Sequence, residues 1–207
     1  SSPGACTGQC EASGDKDRQV SILLSLGWLA REEANVESAE ACYVEAAELA
    51  GRKGSGGARG MMGMAHLYGQ LGQWGRALEK LEEARELAES SGDRLLVIRC
   101  LTNIGTTHFA ARRFKRSIDW FRKAIELSQA VGYRSGLVLN QHNLADAYFR
   151  LGEHGRAYAG FEQSRKDADL LGMDRMVTLN DVYLGYLMAH RGEPEAGLER
   201  LGGAMKE

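Results

Sequence analysis

Residues 101–121 read LTNIGTTHFAARRFKRSIDWF, and residues 141–161 read QHNLADAYFRLGEHGRAYAGF. The two segments place similar side chains at matching positions 40 residues apart, with a small residue (Gly105 or Ala145) ahead of a short hinge. The residue that follows the hinge recurs four times at this spacing, as Trp74, Phe114, His154 and Pro194. A fixed period of this length is the sequence signature of stacked structural repeats.

Other positions keep the same step. The small residue before the hinge recurs as Ala65, Gly105, Ala145 and Gly185, and a large apolar residue after it recurs as Leu81, Phe121, Phe161 and Leu201. An earlier unit fits with a step of 38 residues, through Gly27 and Tyr43. These positions predict five units, whose first helices cover residues 15–35, 57–72, 94–112, 134–152 and 174–192.

Apolar residues within the units are spaced by three and four, which is the period of an amphipathic helix, and no segment alternates as a strand does. Six glycines are expected to end helices in the left-handed conformation: Gly72, Gly152 and Gly192 inside units, and Gly92, Gly132 and Gly172 between units. The carboxylates of Asp93 and Asp174 are expected to cap the helices that follow.

These residues resemble the tetratricopeptide repeat, through the order Leu-Gly/Ala, then an aromatic residue or histidine, then glycine, aromatic, alanine, bulky residue and alanine. The aromatic or histidine position is occupied by Tyr68, His108 and Tyr148. The 40-residue unit is most similar to the long-repeat branch, which includes kinesin light chains, Leu-Gly-Asn-repeat spindle adaptors and regulator-associated bacterial arrays. Arg112 departs from the pattern at the hinge glycine, and the first unit has no hinge glycine.

The resemblance implies an all-α fold, a right-handed α-solenoid of about five helix-turn-helix repeats. The expected organisation is a disordered tail over residues 1–14, followed by one solenoid domain over residues 15–207. Its repeats are expected over residues 15–54, 55–93, 94–133, 134–173 and 174–207.

Composition and cysteine usage narrow the class of protein. The 207-residue chain has a formal net charge of −2, and no apolar run is long enough to cross a bilayer. Cys42 and Cys100 lie on helix faces and are interpreted as free buried thiols, while Cys6 and Cys10 have no second ligand pair with which to form a metal site. A reducing compartment, the cytoplasm, is therefore expected.

Motifs for catalysis, metals and cofactors are not found. The glycine-rich residues 51–60 lack the Gly-Lys-Ser/Thr order of a phosphate loop, since Lys53 precedes Gly54, and are interpreted as a flexible connector. No histidine pair has metalloprotease spacing, and His108 is interpreted as a core residue. We therefore expect a non-catalytic protein that carries no metal and no cofactor.

The family resemblance implies that peptides bind the concave side, which is lined by the first helices. The exposed positions expected there, and so the candidate contacts of a partner, are Arg99, Asn103, Thr106, His142, Asn143, Asp146, Arg150, Tyr183 and Tyr186. Asn103 and Asn143 are one repeat apart, and the resemblance implies that their amides hydrogen-bond an extended peptide backbone. The alternative is a pair of solvated asparagines.

The charge is distributed unevenly along the chain. Nine basic and two acidic residues lie between Arg94 and Arg134, a segment that we call the basic band. The band favours an acidic protein or peptide partner, although its side chains also fit a merely solvated helix surface. A nucleic-acid partner is disfavoured by the negative overall charge, and no membrane partner is expected.

The first functional hypothesis is therefore a protein-interaction scaffold or adaptor that binds a peptide segment in the concave groove, within a larger regulatory or signalling protein. A second is a sensory domain that binds a small ligand, in a pocket lined by Phe149, His142, Tyr183 and Tyr186. A third is self-association, as a homodimer through the array ends, because the last helix carries Leu198 and Leu201.

Overall fold

The structure, a computed structural model, describes the backbone of residues 4–51 and 55–204, and the side chains of residues 15–51 and 55–203. Within these ranges the chain forms ten α-helices and no strand. The helices are α1 (Gly4–Glu32), α2 (Val36–Ala50), α3 (Ser55–Gln70), α4 (Trp74–Ser90), α5 (Arg94–Ala110), α6 (Phe114–Val131), α7 (Arg134–Arg150), α8 (His154–Leu170), α9 (Asp174–His190) and α10 (Pro194–Ala204). The described part of the chain is thus an all-α solenoid of helical hairpins, as the period predicts.

The first helices α3, α5, α7 and α9 end two residues before their predicted ends. The larger difference is in α1, which begins at Gly4 rather than at residue 15. Residues 4–14 of the predicted disordered tail therefore lie within a helix, since no proline after Pro3 interrupts their backbone hydrogen bonding. Residues 1–3 lie outside the described residues.

The chain divides into two compact units. Unit 1 comprises Ser1–Thr107 and unit 2 comprises His108–Glu207, so that the division falls within α5. In unit 1, α1 packs on α2, α2 on α3, and α3 on α4. In unit 2, each helix from α6 to α10 likewise packs on the next one along the chain.

The six predicted glycines all take the left-handed conformation at helix ends, with φ between 63° and 94°. The two hinges without glycine adopt the same backbone conformation at other residues, Ala34 and Arg112, each with a φ of 58°. The hinge geometry is therefore retained where the residue that favours it is absent, which is a local cost to stability.

The capping predictions are half correct. The Asp93 carboxylate accepts a hydrogen bond from the Leu96 amide at 3.0 Å. Asp174 does not cap α9, because it is already the first residue of that helix and Met173 occupies the cap position, directly after Gly172. A cap that sequence reasoning missed lies at Asn35, whose side chain accepts from the Ser38 amide at 3.1 Å.

The core of unit 1 is built around Tyr43, which is 3% exposed. A side chain on Gly27 would lie 2.7 Å from the tyrosine ring, and one on Gly63 would overlap the ring. The start of α3 is equally close to α2, since a side chain on Gly60 would lie 2.9 Å from the Tyr43 carbonyl oxygen. From Ser55 onward the predicted connector is therefore a tightly packed helix, while residues 52–54 lie outside the described residues.

The core of unit 2 holds a hydrogen-bonded polar network around Asn180, a fully buried residue of α9. The Asn180 amide nitrogen donates to the Ser164 hydroxyl at 3.1 Å and to the Met176 carbonyl at 2.7 Å, and its oxygen lies 2.9 Å from Nδ1 of His142. Ser164 in turn donates to the carbonyl oxygen of Val138 at 3.1 Å. The network links α7, α8 and α9 through side chains whose polar groups are satisfied.

Two further expectations concern single residues. His108 is buried, as predicted for a core histidine. Cys100 is buried and free, and its burial raises the pKa of its thiol to about 12. Cys42 is also free but only half-buried, and the side chains of Cys6 and Cys10 lie outside the described residues.

Candidate functional site

In unit 1, the outward faces of α1, α3 and α5 border a cleft of about 360 Å³. Trp28 of α1, Arg59 and His66 of α3, and Arg99 of α5 line it. The Trp28 side chain is 54% exposed, which is unusual for an indole in a folded domain. We call this feature the unit 1 cleft.

The unit 1 cleft is electropositive. Arg59 and Arg99 are exposed, and neither lies within 4.0 Å of a carboxylate among the described residues. The pKa of His66 is lowered by desolvation and by the neighbouring arginines Arg31 and Arg99, although a hydrogen bond with Asn103 opposes the shift. The cleft thus presents two unpaired guanidinium groups and an aromatic ring to any ligand.

The predicted contacts on α5 lie beside this cleft and differ in accessibility. Thr106 is exposed and donates its hydroxyl hydrogen bond to the Asn103 carbonyl at 3.0 Å. Asn103 itself is half-buried, and its side chain hydrogen-bonds His66. Arg99, like Thr106, is exposed.

In unit 2, the equivalent face of α7 carries the predicted residues Asn143, Asp146 and Arg150. Asn143 is half-buried, and its amide makes no hydrogen bond to another described residue. Asp146 and Arg150 pair with each other, with 3.2 Å between the carboxylate and the guanidinium. This pair neutralises charge locally, so that this face of α7 presents polar groups without the net positive charge of the unit 1 cleft.

His142 was expected on the exposed face and is instead 7% exposed. Its ring packs against Phe161 at 5.4 Å and against Tyr183 at 5.6 Å, and its Nδ1 contacts Asn180. Burial lowers its pKa, although the hydrogen bond to Asn180 acts in the opposite direction. The correction follows from helix packing, since this side of α7 is covered by α8 and α9, and His142 is not available to a partner.

Tyr183 and Tyr186 also differ from each other. Tyr183 is half-buried, stacked on Phe161 with ring centroids 4.4 Å apart, whereas Tyr186 is 49% exposed. Phe149 contacts both tyrosines edge to face at 5.6 Å. The four rings of the predicted small-ligand pocket, including His142, therefore pack against one another rather than around an open space.

Sequence reasoning missed Trp28, Arg59 and His66 as members of the unit 1 cleft. Arg59 and Arg99 are 40 residues apart, so the period contains the signal for that pair. Trp28 and His66 are related by the irregular 38-residue step of the first unit, which made their correspondence harder to recognise. Groups of three or more potential metal ligands are not found among the described residues.

The comparison with protein families agrees with this geometry. Residues 58–130 match the family model described as "Tetratricopeptide repeat". The chain thus resembles tetratricopeptide-repeat proteins, and the family match itself covers residues 58–130. The matched residues run from α3 to the end of α6.

Solved structures share the fold of this chain. BtubC (BKLC) from P. vanneervenii superposes with a TM-score of 0.81 at 21% identity, over 96% of this chain and 84% of that protein. A putative kinesin light chain from Podosopora anserina, described as having nearly identical TPR-like repeats, gives 0.72 at 14%, over 90% and 93%. The Rap conjugation gene regulator of plasmid pLS20, solved with the Phr* peptide, gives 0.72 at 17%, over 95% and 55%.

No curated protein sequence matches the chain. A search of the described residues for membrane spans finds no helix of sufficient length and apolarity.

Proposed function

We propose that this chain is a non-catalytic interaction scaffold, which binds an extended peptide segment of a partner protein on the exposed faces of its first helices. The observation that carries the proposal is the unit 1 cleft, where the unpaired Arg59 and Arg99 lie near the exposed Trp28. The pLS20 Rap regulator, which has the same fold, was solved with a peptide bound, and this supports a peptide as the ligand class.

The chemistry of the cleft favours an acidic peptide. Guanidinium groups bind carboxylates through charge-assisted hydrogen bonds, and an indole beside them adds apolar contact area. In unit 2, the free amide of Asn143 offers both a donor and an acceptor to a peptide backbone. We include Asn103, Thr106, Asp146, Arg150, Tyr183 and Tyr186 in the proposed contact surface, and exclude the buried His142.

The test is a selection of acidic peptides from a displayed library, followed by anisotropy titration of the best binder. Arg59→Gln/Arg99→Gln is expected to weaken binding by about tenfold, since two exposed charge contacts are lost. Arg94→Gln/Arg134→Gln removes the same charge from exposed positions outside the cleft and serves as the matched control. Equal weakening by both double variants, or selection of no peptide, would contradict the proposal.

The asparagine pair has its own variant, Asn103→Ala/Asn143→Ala. Loss of backbone hydrogen bonds is expected to weaken the same peptide by several-fold without changing the salt dependence of binding. If this variant binds as the wild type does, the two asparagines are solvated residues and the groove contacts lie elsewhere.

A second candidate function is self-association, in which two copies of the chain form a homodimer. The observation that favours it is an apolar stripe on α1, formed by Ile22, Leu26 and Leu29, each about half exposed. Leu198 of α10 is 67% exposed as well. Light scattering over a range of concentrations decides this candidate, because a constant monomer mass excludes it.

A further inference from the structure

The cations of the basic band form no ion pairs among the described residues. All nine of its basic side chains are exposed, and none lies within 4.0 Å of a carboxylate among the described residues. Four of them lie on the second helix α6: Lys115, Arg116, Arg122 and Lys123. Two more, Arg112 and Arg113, lie in the hinge directly before it.

The lysines and arginines of the other second helices form ion pairs. Every lysine and arginine of α4, α8 and α10 lies within 3.9 Å of a carboxylate. These pairs are Arg76–Glu40, Lys80–Glu83, Arg85–Glu82, Arg156–Glu153, Arg165–Asp181, Lys166–Glu162 and Arg200–Asp181. The helix α2 has no lysine or arginine at all. Among the second helices of the described residues, α6 alone carries unpaired cations.

The contacts that the α6 cations do make leave their charge uncompensated. Arg122 donates to the Tyr148 hydroxyl at 2.6 Å, and the Lys123 ammonium lies 4.1 Å from the centre of the Trp120 ring. Asp119 and Glu126 are exposed on the same helix, at spacings that would allow ion pairs, but neither forms one. The surface therefore combines an excess of positive charge with a partly accessible indole.

We propose that the exposed surface of α6 is a second docking site, separate from the unit 1 cleft, for an acidic polypeptide segment of a partner protein. Unpaired cations on one helix, in a chain whose other second helices have every described cation in an ion pair, provide the electrostatic complementarity that speeds and orients association. Carboxylate side chains of the partner complete the ion pairs that α6 lacks.

The dimensions of the surface define the segment. Lys115 and Lys123 are eight residues apart on a helix, which corresponds to roughly 12 Å. About four residues of an extended chain cover this distance, at roughly 3.3 Å per residue. A polypeptide is favoured over nucleic acid because the chain as a whole is negatively charged and α2 presents four glutamates without a basic residue, which repel a long polyanion.

The experiment uses the full chain and a fluorescently labelled oligoglutamate of about eight residues, long enough to cover the surface with flanking residues. Anisotropy is measured at an ionic strength of about 0.01 M and again at about 0.15 M, where screening is much stronger. The test variant is Arg116→Gln/Lys123→Gln. The matched control is Arg156→Gln/Lys166→Gln, which makes the same change in charge on α8, where both cations already have partners.

We expect saturable binding that the test variant weakens by about tenfold, the effect of losing two exposed ion pairs, while the control changes it by less than twofold. Because the unit 1 cleft is itself proposed to bind acidic peptides, the same titrations are repeated in the Arg59→Gln/Arg99→Gln background, where the tenfold effect of the test variant is expected to persist. Its persistence separates the two proposals, since α6 then binds oligoglutamate without the two cleft arginines.

Four outcomes overturn the proposal. No saturable binding at low ionic strength means that α6 holds no acidic segment. Equal weakening by the test and control variants means that binding follows net charge alone. If single-stranded oligouridylate binds more tightly than oligoglutamate, and the test variant loses this binding, the surface is a nucleic-acid site. If the chain self-associates at low salt, and the test variant does not, the surface binds the acidic α2 of a second copy.

Discussion

The substitution Ala34→Gly is expected to stabilise the protein. Ala34 occupies the hinge between α1 and α2 with a φ of 58°, where the next hinge has Gly72 with a φ of 70°. The hydrogen bonds around the two positions are the same in kind: the Ala34 amide donates to Arg31 and the following amide to Ala30, as the Gly72 amide donates to Gly69. The two hinges therefore differ chiefly in the presence of one β-carbon.

The magnitude follows from that difference. The left-handed conformation costs a residue with a β-carbon about 1–2 kcal/mol, while glycine loses about 0.5–1 kcal/mol more conformational entropy on folding. The net expectation for Ala34→Gly is a gain of about 0.5–1 kcal/mol in the free energy of unfolding. Gly72→Ala is the reverse substitution, and because a side chain there would contact nothing within 4 Å, it should cost a similar amount.

Both variants are unfolded with urea, and unfolding is monitored by circular dichroism. The slope of the free energy of unfolding against urea concentration is compared with that of the wild type, to confirm that the unfolding transition is the same. Both substitutions lie in unit 1, so they report on one compact body. The reasoning is refuted if Ala34→Gly is neutral or destabilising while Gly72→Ala destabilises, since the two hinges would then not be equivalent.

Three further predictions concern the cores of the two units. Gly63→Ala should destabilise unit 1 by about 1–3 kcal/mol, because the new methyl group overlaps the buried Tyr43 ring, and urea unfolding that shows a gain would contradict it. Burial lowers the pKa of His142, so that the unfolded state binds a proton at a higher pH than the folded state, and the free energy of unfolding should fall as the pH drops below about 6.5. In His142→Asn the urea midpoint should depend less on pH, and an unchanged dependence would be evidence against this. Cys100, with a thiol pKa raised to about 12, should resist iodoacetamide at about pH 8 until urea unfolds the chain. Peptide mass spectrometry locates the label, and labelling of Cys100 in the native protein would contradict this prediction.

Much of the fold was predictable because repeats constrain one another. Residue propensity alone defines a single helix boundary weakly. A boundary that recurs at the equivalent positions Gly72, Gly152 and Gly192 is supported by three repeats. The same logic failed where the repeat is irregular. Met173 occupies the position that Asp93 fills in an earlier unit, so the nearby Asp174 was mistaken for its counterpart.

The candidate site was less predictable, because exposure depends on which helix covers a face. Arg99, Arg150 and Tyr186 were correctly expected to be exposed. His142 was not, since its ring is covered by Phe161 and Tyr183 of two later helices. A periodic pattern identifies equivalent positions but does not specify what packs against each one.

The position of Tyr43 between Gly27 and Gly63 limits how this array can be rearranged by engineering. Most hairpins in a repeat protein are interchangeable building blocks, which can be duplicated, deleted or transplanted. The hairpin that carries Tyr43 needs a neighbour without a side chain at the position of Gly63, whereas the corresponding position later in the chain holds Asn103, Asn143 or Tyr183. Moving that first module elsewhere in the series would place its ring against an occupied position, so its order in the chain is dictated by shape.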